Sequence, residues 1–515
     1  MVSPALSPAS HLFNYAPHPA MSPLRLLALV VFACAPLAFA AQPPPPNILF
    51  ILTDDQGWPT LGSYGNKLVP TPHLDRLAAD GARFTDAYVM PQCTPTRAAL
   101  LTGQHTARNR LWHVIPWYGT PWAPVREPAC AEQLPRETFT FPKALRAAGY
   151  FTGMAGKWHL TTNADGNYVA LKPAAAAHYG FDFVAPPGPG SQNEGDKHVD
   201  YLTDHAIAFM RAHRDRPWFF YLSHHTIHGK VSAPPALVAQ HLARGAPAIG
   251  LHNATYLAAI EHLDNSIGRL LAAVDDLRLR ERTVIVFLTD NGGVHQIYDI
   301  KPFTEGPGTT TQLTVATEEF RNAPLRAGKG SPYEGGFRVP CLVRWPGVIA
   351  PATVSATPIH VVDWAPTLLA LAAARPPAAH PLDGTNLLSL LRGGSVPAHP
   401  LFWHLPFYEL RWGATPCAVI RNGDWKLIDY FGDSVDATGR YRPGARVELF
   451  NLRTDLSEAH DLAAADPVRA RQLQTTLRTW LRSVGADIPG PNPHHDPARP
   501  LKETRTKPAH LTSVP

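Results

Sequence analysis

Asn47-Ile48-Leu49-Phe50-Ile51-Leu52-Thr53-Asp54-Asp55 decides the fold. Its unbroken apolar run predicts a strand buried on both faces, as in a parallel sheet, and the run ends in two carboxylates. Thr283-Val284-Ile285-Val286-Phe287-Leu288-Thr289-Asp290-Asn291-Gly292-Gly293 repeats the shape: apolar strand, threonine, then Asp and a second oxygen-bearing side chain. Ligands of open α/β sheets collect at the carboxyl ends of the strands. If the two strands lie near each other and run parallel, Asp54, Asp55, Asp290 and Asn291 meet at one edge. Three carboxylates and an amide oxygen form a hard cage, suited to Ca²⁺ or Mg²⁺ and not to a thiophilic metal. A single Asp after a strand is ordinarily a turn or helix-cap residue. Two matched pairs favour the cation.

Between these strands the pattern alternates. Helices are predicted over 72–78, 141–148 and 199–211, and strands over 83–89, 150–154 and 218–222. This alternation predicts a doubly wound α/β domain. Two of the strands deliver titratable groups: Lys157 and His159 in Gly156-Lys157-Trp158-His159-Leu160, and His228 at the end of Ser223-His224-His225-Thr226-Ile227-His228. Taken singly, these are ordinary loop residues.

The third strand leads into Met90-Pro91-Gln92-Cys93-Thr94-Pro95-Thr96-Arg97-Ala98-Ala99-Leu100-Leu101-Thr102-Gly103, a loop that turns into a helix. Pro95 suits a helix start, and Cys93 then sits where free N–H groups favour an anion or a thiolate. For an arbitrary cysteine, a buried residue beside a cap is the plainer reading. Here Cys-x-Pro-x-Arg followed by Ala-Ala-Leu-Leu-Thr-Gly resembles the signature of the formylglycine-dependent (type I) sulfatases, within the alkaline-phosphatase-like superfamily. Gly156-Lys157-Trp158-His159 resembles a second segment of that family. Ala327-Gly328-Lys329-Gly330-Ser331-Pro332-Tyr333-Glu334-Gly335-Gly336-Phe337-Arg338-Val339-Pro340 resembles a third. One departure is Gln56-Gly57-Trp58-Pro59 after the paired aspartates, where the family has Asp-Asp-x-Gly and further glycines. The resemblance runs from about Asn47 to Leu481.

The resemblance implies a large, mixed, mostly parallel sheet flanked by helices, with a smaller C-terminal antiparallel sheet plus helix. It implies that Cys93 is converted to 3-oxoalanine (formylglycine) by a formylglycine-generating maturation enzyme, and that the aldehyde hydrate is the nucleophile. Asp54, Asp55, Asp290 and Asn291, together with residue 93, hold the cation. Lys157 and Lys329 bind the sulfate oxygens, and Arg97 orients the hydrate. His228 is the general acid, and His159 the base that releases sulfate from a covalent sulfo-enzyme. Glu334 and Arg338 are expected to hold their loop together. The substrate class is a sulfated small molecule or glycan, with a sulfated carbohydrate leading. Trp112, His113, Trp117, Tyr118, Trp122, Trp403, His404 and Tyr408 are candidates for an aromatic rim around it. The alternatives are a phosphomonoester or phosphonate monoester hydrolase of the same superfamily, and a catalytically inactive glycan-binding homologue.

Composition sets the outer limits. With 515 residues, 45% of them hydrophobic and 17% charged, the chain can bury a large core. A net charge of +5 with no basic block or aromatic-interleaved Lys/Arg face argues against nucleic acid. Met21-Ser22-Pro23-Leu24-Arg25, an apolar run to Leu37 and Ala38-Phe39-Ala40 read as an export signal, too short to span a membrane. The expected destination is the periplasm or the medium; lipid anchoring at Cys34 is the lesser alternative. The five cysteines have no paired spacing, so neither a disulfide framework nor a zinc site is indicated. The expected organisation is a leader and signal over 1–40 and a Pro-rich linker over 41–46. A catalytic domain over 47–375, a small α+β domain over 376–485 and a disordered tail over 486–515 follow.

Overall fold

Every residue of Asn47–Thr53 is buried, as its unbroken apolar run requires. The computed structural model describes residues 45–299, 314–318, 320–436 and 439–499, and singly positions 12, 14, 16, 501 and 504. The export signal and Cys34 lie outside the described residues. The main sheet consists of Asn47–Thr53 (β1), Ala82–Tyr88 (β2), Phe151–Gly156 (β3), Phe183–Val184 (β4), Trp218–Ser223 (β5), Thr283–Thr289 (β6), Arg338–Arg344 (β7), Thr353–Ser355 (β8) and Ile359–His360 (β9). Their spatial order is β8-β2-β7-β6-β1-β5-β3-β4, with β9 beside β2. β7 runs antiparallel to both its neighbours, and the other pairings are parallel.

Alternate side chains of β1 enter two different cores. Ile48, Phe50 and Leu52 pack with the helices Cys93–Thr102 and Trp364–Leu371. Leu49 and Ile51 pack with Pro72–Ala79, Val199–Ala212 and Ala254–Asp276. A strand covered on both faces cannot afford polar residues on either, which is why its sequence is continuous and not alternating.

The smaller sheet is antiparallel, in chain order Leu401–Leu405 (β10), Cys417–Asn422 (β11), Trp425–Tyr430 (β12) and Arg446–Asn451 (β13). Its β11–β12 hairpin turns through Gly423-Asp424, the last strand pair being Asn422 and Trp425, with Gly423 left-handed (φ +60°). Ala418, Ile420, Leu427 and Leu449 face the helix Pro467–Ser483. Trp403, Val419 and Ile428 on the opposite face share the core of the main sheet. Trp403 stacks on Phe337 at 4.6 Å and donates from Nε1 to the Val89 carbonyl at 2.8 Å. Glu334 accepts from Tyr88 Oη at 2.7 Å and Lys426 Nζ at 3.1 Å, while Arg338 donates to Asp86 at 2.9 Å and to the Thr85 carbonyl at 2.7 Å. Both residues thus hold the loop, and Glu334, through Tyr88 and Lys426, also fastens the two sheets.

The tail departs from expectation over 486–499; positions 500, 502–503 and 505–515 of it lie outside the described residues. Gly490–Pro491 pairs with Val125–Arg126, and Asn492 Nδ2 donates to the carbonyls of Pro121 and Ala123 at 2.8 and 2.7 Å. The chain is therefore ordered past 486, because an Asn side chain and two backbone groups find partners on the main body. Among the described residues, no helix is long and apolar enough to cross a membrane.

Candidate active site

Thr53 and Thr289 are directly opposed in the parallel β1–β6 pair, so the two acidic strand ends leave the sheet together. Asp290 N donates to the Thr53 carbonyl at 3.1 Å, and Asp55 N donates to Asp290 Oδ1 at 3.3 Å. Asp55 takes the left-handed conformation (φ +59°), which Asp tolerates better than most residues.

Each carboxylate has its own cation. Lys157 donates to Asp54. Lys329 Nζ lies 2.6 and 2.8 Å from the oxygens of Asp55. Arg97 donates to Asp290 Oδ2 from Nη2 at 2.6 Å and from Nε at 3.1 Å. Cys93 opens its helix amid this set, fully buried, with Sγ donating to Asp54 Oδ1 at 3.4 Å and accepting from Lys329 Nζ at 3.5 Å. Ligand atoms of Asp54, Asp55, Cys93 and Asp290 lie within 4.8 Å of one another.

The donor set fits a hard divalent cation. Asn291 Nδ2 donates to Asp55 Oδ1 at 2.7 Å and to the Gly292 carbonyl at 2.9 Å. Asn291 Oδ1 is buried without a hydrogen-bond partner. Leaving such an acceptor unsatisfied costs about 1–3 kcal/mol, and a cation held here would supply its partner.

Electrostatics follows from burial and from these pairs. Burial opposes ionisation of Asp54, but Lys157, then His228, Arg97 and Lys329, hold its carboxyl well below the usual range. Burial, then Asp290 and Asp54, push the Cys93 thiol above its ordinary value, so the unmodified side chain is a poor nucleophile. Burial, then Lys329, lower His228 to about 4. Burial, then Lys157 and Arg97, hold His159 well below the usual imidazole range.

The two histidines flank one aromatic ring. Tyr168 lies 5.0 Å from the His159 ring, 5.9 Å from the His228 ring and 5.0 Å from Lys157 Nζ. His228 Nε2 is 4.0 Å from Asp55 Oδ2. All ten candidate residues named from the sequence, from Asp54 to Lys329, therefore converge on one site.

A family model described as Sulfatase matches residues 46–374. The chain belongs to the sulfatase family. A second model, described as the C-terminal part of N-sulphoglucosamine sulphohydrolase, matches residues 328–486 of this sulfatase. It is 32% identical to arylsulfatase A of Bos taurus over 509 residues, covering 89% of this chain and 92% of that one. With N-acetylgalactosamine-6-sulfatase of Canis lupus familiaris it shares 30% identity over 410 residues, 73% of this chain and 72% of that one. Among solved structures, Ps i-CgsB in complex with k-i-k-neocarrahexaose superposes with a TM-score of 0.65 at 25% identity, covering 85% of this chain and 93% of that one. The protein is thus a sulfuric ester hydrolase of the alkaline-phosphatase-like fold.

The expected aromatic rim of this sulfatase is mostly core. Trp112, His113, Trp117, Trp403, His404 and Tyr408 are buried. His113 stacks on Trp117 at 3.5 Å and meets Glu409 at 3.2 Å, which uses up its polar capacity internally. Tyr118 lines a separate cavity with Glu127 and Asn492. The aromatic rings beside the catalytic candidates are instead Tyr168 and Trp412, whose ring lies 5.2 Å from Lys329 Nζ. Sequence reasoning also missed Ser223, which accepts from Arg97 and donates to the Lys157 carbonyl at 2.7 Å, and Lys197, which burial lowers to about 8. Of these, Ser223 alone carried a signal: it ends a strand of the same sheet. Cys93, Cys130, Cys341 and Cys417 are all free thiols.

Proposed function

We propose that this sulfatase cleaves the sulfate ester of a carbohydrate through a formylglycine formed at position 93. The carrying observation is the place of Cys93 Sγ, 3.4 Å from Asp54 Oδ1 and 3.5 Å from Lys329 Nζ, inside the acidic cluster. A thiol attacking sulfur would form a thiosulfate that does not readily release sulfate. A geminal diol avoids this trap.

One hydroxyl oxygen of the hydrate attacks sulfur as its proton passes to Asp54, whose Oδ1 lies 3.4 Å from Cys93 Sγ. The S–O bond to the sugar breaks, and the departing oxygen takes a proton from His228. The second hydroxyl then loses its proton to His159. The aldehyde reforms as the bond from residue 93 to the sulfate oxygen breaks, and water restores the hydrate. Lys157 and Lys329 bind the sulfate oxygens, and Arg97, one helical turn from residue 93, orients the hydrate. Asp54, Asp55, Asp290 and Asn291, beside residue 93, would hold Ca²⁺, or Mg²⁺, which supplies positive charge at those oxygens. Without it, three carboxylates balance three cations, so the metal is what makes the site receptive to an anion.

The names of the relatives support a carbohydrate, as does the presence of Tyr168 and Trp412 at the site. Because Cys93 is fully buried, a maturation enzyme must reach it before the chain folds. That fits oxidation of an exported chain, destined for the periplasm or the medium, while it is still extended. The test is a hydrolysis screen over sulfated mono- and oligosaccharides alongside an aryl sulfate and the matching aryl phosphate. Turnover of sulfated sugars with no comparable phosphate activity supports the reading, and preference for the phosphate contradicts it.

A further inference from the structure

His105 and His360 line a cavity of about 340 Å³ that none of the catalytic candidates borders. It lies beyond the far end of the helix that Cys93 opens. That helix has ten residues, so its two ends are about 15 Å apart, and His105 follows Thr102 by three positions.

The two imidazoles are 5.0 Å apart between ring centres and only 6% and 1% exposed. His105 Nδ1 and His360 Nε2 are buried with no hydrogen-bond partner among the described residues. Buried nitrogens are rarely left so without a reason. Burial lowers His105 to about 4 and holds His360 well below the usual range. Each ring is therefore neutral; His360 Nδ1 accepts from Val362 N at 3.4 Å, so its Nε2 offers a donor, while His105 offers one donor and one acceptor.

The remaining walls narrow the ligand. Arg108 Nε donates to both oxygens of Asp383, at 2.8 and 3.0 Å, which leaves its terminal amino groups facing no described acceptor. Trp480 lies flat on Phe402, ring centres 4.5 Å apart and 3° from parallel. An anion would meet two carboxylates, Asp363 and Asp383, against one arginine already paired. A metal would need three converging ligands. Among the described residues, no three of these His and Asp side chains bring ligand atoms within 4.8 Å of one another. A purely apolar ligand would leave both imidazoles unsatisfied. Trp480 also meets the His105 ring near-perpendicularly at 5.2 Å. What remains is a ligand with an apolar flank for the Phe402–Trp480 wall and hydroxyls able both to donate and to accept.

We propose that this cavity is a second saccharide site, which takes an unsulfated sugar ring and holds a glycan at a distance from the catalytic centre. The assignment stands apart from the chemistry at residue 93. The test is saturation-transfer NMR on the full chain with D-galactose and N-acetyl-D-galactosamine, repeated on Lys329→Ala, Trp480→Ala and Arg108→Gln. The expected result is saturable binding of either sugar that survives Lys329→Ala and weakens roughly tenfold or more in both cavity variants. Aryl sulfate turnover by the cavity variants should be unchanged. Arg108 is partly exposed, so Arg108→Gln should keep its fold if Trp480→Ala does not, as thermal melting will show. The proposal is overturned if neither sugar binds, or if binding vanishes with Lys329→Ala and persists in Arg108→Gln. It is equally overturned if Zn²⁺ binds there, lost in His105→Gln, while the sugars do not.

Discussion

Arg97 donates twice to one oxygen of Asp290, at 2.6 Å from Nη2 and 3.1 Å from Nε, leaving Oδ1 of that carboxylate to accept from Asp55 N at 3.3 Å. This pair ties the Cys93 helix, one turn in, to the end of β6. The position of residue 93 relative to the acidic cluster is thereby fixed by a planar fork that lysine cannot reproduce. Arg97→Lys should lower kcat on the order of 10²-fold per molecule carrying an aldehyde at 93, since small misplacements at the reacting centre have that effect. The check is turnover normalised to aldehyde content by mass spectrometry. Near wild-type turnover would remove Arg97 from its orienting role.

His228 gives a pH dependence with a definite sign. Burial and Lys329 lower it to about 4, so in the free enzyme its charged form is lost as pH rises through that value. If the ring is the general acid, kcat/KM on a sugar sulfate should fall as pH rises above about 4. His228→Ala should flatten this profile and cost about 10²–10⁴-fold on the sugar sulfate, but far less on an activated aryl sulfate. Equal losses on both substrates would move the role elsewhere.

Metal content tests the orphaned oxygen of Asn291. The purified active enzyme should contain one Ca²⁺, or Mg²⁺. Chelation should abolish turnover and lower Tm, because a ligand bound only by the folded state stabilises it. Asn291→Leu, which removes that oxygen, should weaken metal affinity in a calorimetric titration. Finding zinc, or full activity after complete metal removal, would contradict the cage.

Much of this site was legible because burial on both faces forces β1 and β6 into unbroken apolar runs. Whatever follows such a run emerges at the ligand edge, and Asp54, Asp55, Asp290 and Asn291 do. The aromatic rim was not legible. Trp112, His113 and Tyr408 lie in irregular segments, where no periodicity separates a core ring from a rim ring. Tyr168, which neighbours Lys157 and both histidines, sits in a loop whose sequence has no pattern at all. The tail failed for a related reason: its Pro- and His-rich composition hides the two carbonyls that Asn492 finds on the main body.

The junction of the two sheets should be sensitive to a single lysine. Lys426 is fully buried, with Nζ 3.1 Å from Glu334 and 2.8 Å from Glu458. Lys426→Met leaves two facing buried carboxylates and should cost about 3–5 kcal/mol by chemical denaturation. Adding Glu334→Gln and Glu458→Gln to that variant should recover part of the loss. A loss of less than about 1 kcal/mol, within what many single substitutions cost, would show that the cluster does not fasten the sheets.

The identity of residue 93 decides the mechanism. Peptide mass spectrometry of the active, exported protein should find an aldehyde or its hydrate there, in place of the thiol. Material made without a maturation enzyme should fold and bind metal but be nearly inactive, with an intact cysteine. Full sulfatase activity with an unmodified thiol at Cys93 would contradict the mechanism outright.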